Sequence, residues 1–292
     1  MDRNLVRTLL GASAAALLAL AAWGCGSNDD DSTTASSGGQ QRGQQRSPQA
    51  EAAVADYRAY LQENADELVA TTEPFVAAVI AGNLAEAKEL YAAPRIPYER
   101  IEPVADSFGG LDPKIDAREN DVAAGEFEGF HRIEKALWEE DTTDGMAPVA
   151  EQLQRDVAAL AAKVKGVELQ PVQIADGAIG LLGEVSASKI TGEEERYSHI
   201  DLVDFEANVE GSEVAFETVK PLLDESNSDL AGEIESHFRA VFNSLEPYRT
   251  ADGFVPYTEL TKADTKKLAV AIDTLAEELS LVPAEVASSE HG

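Results

Sequence analysis

In 292 residues, 54 Asp and Glu stand against 23 Lys and Arg, for a net charge of −31. A chain this negative repels nucleic acid and anionic lipid surfaces and suits a cationic partner such as a metal ion, although the same charge also serves plain solubility. The length allows one large domain or two small ones with a proper core, and sparse aromatics beside abundant Ala, Glu and Leu read as mostly helical.

The chain opens as a targeting segment. MDRNLVR carries two arginines, and TLLGASAAALLALAAWG is an apolar run that leads to Cys25. That run is too short and too rich in small residues for a comfortable membrane span. Cys25 is the only cysteine, so no disulfide can form within the chain. The apolar run, the small residues and a cysteine followed by GSNDDDS resemble a bacterial lipoprotein signal. Residues 1–25 are then a signal peptide whose cleavage leaves Cys25 lipidated; an ordinary secretory signal is the alternative. The expected location is extracytoplasmic, in the periplasm or at the cell surface, with the membrane reached only through the lipid at Cys25. Residues 26–49 have almost no apolar content and read as a disordered tether.

From about Ala50 onward the pattern is helical. The first run, through Gly82, is one long helix or two, with Pro74 as a break or kink. Asn83 with Glu86 three residues later looks like a capping box, and Pro94 is expected to end that helix. A short helix is expected around Pro103, then a polar connection over GGLDPKIDARENDVAAG. GEFEGFHRIEKALWEED, MAPVAEQLQRDVAALAAKVKG and QPVQIADGAIGLLGEVSASKI read as the next three helices. A long helix carrying Gly211, a separate one over SDLAGEIESHFRAVFNSLEPY and a last one from Tyr257 finish the chain. No alternating strand run appears. Eight or so antiparallel helices argue for an all-α fold, as one helical bundle or two packed end to end.

The chemistry centres on GFHRIEKALW. At about 100° per residue, Glu134 falls inside the apolar arc of Phe127, Phe130, Ile133, Leu137 and Trp138, and His131 falls on its edge. A buried carboxylate without a partner is costly and needs a cation, a donor network or a metal. A histidine three residues earlier on the same side can help hold one ion. The plainer reading is a neutralised or arginine-paired core glutamate beside a surface histidine. Glu99, Glu102, Asp112, Asp116 and Glu193 to Glu195 are further acids that could complete a shell. Glu194 could instead close a Thr191 capping box. Glu233 and His237 form another helical pair, read as a surface coincidence.

Three blocks, YERIEPVADSFGGLDPKIDAREND, GFHRIEKALW and LQPVQIADGAIGLLGEVSASKITGEEERYSHIDLVDFEANVEG, resemble the imelysin-type, EfeO/EfeM-like periplasmic iron-uptake proteins. The likeness spans about residues 50 to 285, and the helical domain is taken as 50–288. The resemblance implies a bilobal fold of two packed antiparallel four-helix bundles. It implies a metal site on the HxxE motif, which is His131 and Glu134 here, with further acidic ligands at Glu99, Asp116 and Glu194. A helical wheel over residues 98 to 108 puts Glu102 nearer the apolar face than Glu99, so Glu102 joins the candidate ligands. Longer members carry an N-terminal cupredoxin-like domain. Here that space holds only the tether, so a copper-linked role of that domain should be absent.

The resemblance implies a binding protein that captures iron, as Fe2+ or Fe3+, and hands it to a membrane permease. A haem-dependent peroxidase is a further partner of such systems. Oxygen ligands with one imidazole would also accept Zn2+ or Cu2+. A metallopeptidase is the first alternative, because the wider family is classed with peptidases. The usual zinc helix wants HExxH, and this chain has HRIEK. Binding of an acidic polysaccharide is the second alternative, and the net charge opposes it unless divalent cations bridge the two. A di-iron oxidase would want two ExxH motifs. The expectation is a binding protein and not an enzyme.

Overall fold

The computed structural model describes residues 46–187, 189–251 and 253–289. The expected signal peptide, Cys25 and all but the last residues of the expected tether lie outside them.

Helix α1, Pro48–Ile80, starts where the Ser47 hydroxyl accepts from the Ala50 N–H. The expected break at Pro74 does not occur. A mid-helix proline costs about 3 kcal/mol, and burial of a large apolar side chain offsets roughly 1.5–3 kcal/mol. Leu68, Phe75, Val76 and Val79 stay buried on both sides of the proline, so packing carries the helix through it. Asn83 caps α2, Leu84–Leu90, as its spacing to Glu86 predicts. Pro94 does not stop a helix but lies in the first turn of α3, Ala92–Ile101. There a missing N–H loses nothing.

After Ile101 the chain tightens into a 3-10 helix over Glu102–Leu111, followed by the short α4, Asp112–Asp116. The polar connection was thus expected as loop but holds a turn of helix. Helix α5 is Gly129–Trp138, α6 is Ala147–Val164 and α7 is Pro171–Ala187. Two runs read as separate helices are joined in α8, Asp201–Leu245, which bends at Asn227 (φ −152°, ψ 71°). The Asn227 side chain accepts from the Leu230 N–H, so the second half of α8 has its own cap. A two-strand hairpin, β1 (Arg249–Thr250) and β2 (Gly253–Phe254), leads to α9, Lys262–Leu279, and α10, Val282–Ser289. The fold is all-α, as expected, with only this minimal hairpin among the described residues.

Helix α1 packs on α3 and α6; α7 and α9 pack on α8 and on each other; α10 covers α7 and α8. Helix α8 also meets α1 and α3, so it runs through both neighbourhoods. The α3–α8 crossing depends on Gly211, where a Cβ would lie 2.4 Å from the Arg100 carbonyl oxygen. Without a side chain there, the two backbones close up. That approach sets Arg95 and Glu99 of α3 against Asp204 and Asn208 of α8.

Candidate metal centre

The N-terminus of α5 abuts the end of α4. Gly129 has φ 79°, and a Cβ on it would lie 2.2 Å from the Ile115 carbonyl oxygen. Only glycine meets both demands, and the contact brings His131 beside Asp116. Residues 192–200 run without helix, meet α5 where the Tyr197 and Ser198 N–H groups donate to Glu134, and deliver Glu194 and Glu195. The first turn of α8 adds Asp201 and Asp204.

Glu134 points inward as the wheel predicts, and it is fully buried. His131 does not sit at the edge: it is 1% exposed. Its Nδ1 lies 2.9 Å from Glu134 Oε2. The other Glu134 oxygen accepts from the backbone N–H groups of Tyr197 (2.9 Å) and Ser198 (2.7 Å). His131 Nε2 is buried and makes no hydrogen bond. It faces Asp116 Oδ1 at 3.5 Å and Glu194 Oε1 at 3.8 Å. The imidazole therefore joins two candidate ligand sets, Asp116–His131–Glu194 and His131–Glu134–Glu195. The first borders a cavity of about 250 Å³ lined by Asp116, Glu194, Lys189, Arg118 and Glu102, which reaches the surface at Asp121.

Glu99 and Glu102 lie to one side of these sets. Their carboxylates take the Lys189 ammonium at 2.6 and 2.8 Å and the Asn208 amide at 2.6 and 3.0 Å. The wheel's ranking of the two is reversed, since Glu99 is fully buried and the Glu102 side chain is 13% exposed. The helix changes from 3.6 to about 3.0 residues per turn at Glu102, so a 100° step places every later residue wrongly. Glu194 closes no capping box, because no helix begins there; Arg118 donates to its Oε2 at 3.0 Å. Glu233 is exposed and His237 partly so, and neither belongs to these sets.

Arg95 went unnoticed in the sequence and is the hub of the cluster. Fully buried, it pairs with Asp116 and Glu99, with Asp204 at 3.0 Å and with Glu195 at 2.9 Å. Its spacing of four from Glu99 on one helix was the available signal. Asp201 and Asp204, three apart before Phe205 and Asn208, were another.

Acids outnumber cations here, and the protonation states answer to that. Burial alone would discharge His131, but Asp116 and the Glu134 hydrogen bond more than reverse this and push its pKa up to about 10. Burial raises Asp116 to about 6 and Asp204 to about 7 despite Arg95 beside both. Burial, reinforced by Glu134 and Asp204, drives Glu195 well above the carboxylate range. Glu194 is held low: burial opposes its charge, but Lys189, His131 and Arg118 outweigh it. A site that gathers protons to offset excess carboxylate is one that a metal cation can satisfy instead. Its donors are carboxylate oxygens and one imidazole, which suit a hard or borderline divalent or trivalent ion.

Residues 53–282 match the family model described as Imelysin, of the M75 peptidases. The chain is 46% identical over 232 residues to proteins named "Iron uptake system component EfeO" from Escherichia coli strain K12 and from Shigella flexneri. The match takes in 78% of this chain and 62% of each relative, so the chain spans about three-fifths of their length. A solved structure from Parabacteroides distasonis, named as an iron-regulated protein A precursor, shares the fold at a TM-score of 0.64 and 17% identity. It covers 82% of this chain, which covers 97% of it in turn. No helix among the described residues is long and apolar enough to cross a membrane.

Proposed function

The chain belongs to the imelysin family, and from that premise we propose that it is the extracytoplasmic iron-binding component of an iron uptake system. Iron enters through the cavity at Asp121 and is held by Asp116, His131 Nε2 and Glu194. Glu134 anchors the opposite imidazole nitrogen, the pattern by which carboxylates orient metal-binding histidines. Together with Glu195 it forms the other face of the same centre. A membrane permease receives the ion, and a haem-dependent peroxidase is a further partner. Residues 1–25 act as a lipoprotein signal, residues 26–49 as a tether and residues 50–288 as the binding domain. Cys25 carries the lipid.

One observation carries this reading: a buried imidazole nitrogen without a hydrogen bond, aimed at two carboxylates beside a cavity. It meets them only as an ion pair at 3.5 and 3.8 Å, and a metal ion in place of its proton would be bound by all three groups directly. The names of the EfeO relatives support iron as the ion. Binding rather than peptide cleavage fits Glu134, whose two oxygens are engaged by His131 and by two backbone N–H groups. Such a carboxylate is poorly placed to activate water.

The test is anaerobic titration with ferrous iron and elemental analysis of protein purified without chelator, with Zn2+ and Cu2+ as competitors. One iron per chain is expected in the wild type and none in His131→Ala. Chelator-sensitive digestion of casein that vanishes in Glu134→Gln would overturn the reading in favour of a peptidase.

A further inference from the structure

Glu194 and Glu195 reach the centre on a stretch without helix, residues 192–200. A carboxylate there is placed only as well as its backbone is. The charged neighbours of Glu194, which are Arg118, Lys189 and His131, answer to a charge balance that changes when an ion enters. A fixed position needs neutral contacts that the ion leaves alone. One residue from far along the chain supplies them.

Tyr257 opens the 3-10 turn Tyr257–Glu259, just after the β1–β2 hairpin. Helix α8 brings it to the centre by doubling over at Asn227. The rings of Phe216 and Phe238 lie 5.8 Å apart, although a straight helix would separate those residues by about 33 Å. Past the end of α8, Arg249 reaches back to Glu206 at 3.0 Å. Tyr257 is thereby buried and touches residues 190–199 at three points. Its hydroxyl donates to the Ile190 carbonyl, and its N–H donates to the His199 carbonyl at 2.8 Å. Between them Gly192 (φ 76°) lays its bare Cα on the ring, where a Cβ would be 2.5 Å from Tyr257 Cδ1. The His199 N–H in turn donates to the Glu195 carbonyl at 2.8 Å.

We propose that Tyr257 is a positioning residue of the metal centre: it clamps residues 190–199 at both ends and so fixes the backbone that carries Glu194 and Glu195. The inference rests on the metal-binding reading of His131. None of the three contacts carries a charge, so the arrival of an ion does not change them. The clamp spares the ion the cost of ordering a loose segment as it binds. It also gives the C-terminal part of the chain, which supplies none of the candidate ligands, a hold on the centre.

The experiment pairs hydrogen exchange of the metal-free protein with ferrous-iron affinity measured without oxygen. Tyr257→Phe keeps the ring and removes the hydroxyl; Tyr257→Leu removes the ring that Gly192 rests on as well. In both, the amides of Gly192, Tyr197, Ser198 and His199 are expected to exchange faster while those of α1 do not, which separates a local release from a general loss of stability. Iron affinity is expected to fall roughly three- to tenfold in Tyr257→Phe, the size of one net hydrogen bond, and further in Tyr257→Leu. Tyr257→Phe carries the test alone should the leucine variant not fold. Wild-type exchange in this segment overturns the proposal, and so does faster exchange with unchanged iron affinity. A wild type that binds no iron sinks the reading at His131, while faster exchange confined to this segment would still support the clamp.

Discussion

His131 carries a charge that its surroundings both oppose and demand. Burial disfavours the imidazolium, but Asp116 and Glu134 keep it protonated up to about 10 in the metal-free protein. A metal at Nε2 must displace that proton. Iron affinity should therefore rise with pH by at least about tenfold per unit while the imidazole is protonated, and binding should release the Nε2 proton, with a further one wherever Asp116, raised to about 6, still holds its own. Calorimetry in buffers of different ionisation enthalpy measures this. The same shift sets a stability window. An unfolded histidine titrates near 6.5, so His131 contributes fully to the metal-free fold below about 6.5 and loses that contribution as pH rises through about 10. The melting temperature of metal-free protein should fall across that interval, and His131→Gln should flatten the fall. A proton count near zero would mean that the ion does not replace the Nε2 proton.

The elements show how far periodicity reads true. The inward face of α5 was legible because neighbours three and four residues apart share a side of a helix. Pro94 and Pro74 misled in opposite ways. One is harmless in a first turn, and the other is carried by the apolar row buried on both sides of it. The order of Glu99 and Glu102 was illegible because the helix type changes between them. Gly211 could be seen in the sequence, but its purpose could not. Replacing it with Ala drives a methyl into the Arg100 carbonyl, and such overpacking costs about 1–3 kcal/mol. Gly211→Ala should lower the urea midpoint accordingly. It should also weaken iron binding, because displacing α8 from α3 withdraws Asp204 from Arg95. A variant that loses stability with unchanged iron affinity would show that the crossing does not position the centre.

Across the whole molecule, a net charge of −31 makes a field that draws cations. Exposed charges are screened beyond about 8 Å at physiological salt. The association rate of ferrous iron should therefore drop as salt is raised, while dissociation changes less; stopped-flow rates at low and high salt decide this. Composition, the acidic balance, the helical class and the pairing of His131 with Glu134 are properties of short stretches of chain, so they can be read along it. The assembled centre is not of that kind. Arg95 and Asp204 meet across 109 positions, and Lys189 reaches Glu99 across 90. Glycines at 129 and 211 let backbones approach where any side chain would hold them apart. Electrostatic energy depends on separation in space, so the charge state of this site took form only when the helices closed on one another.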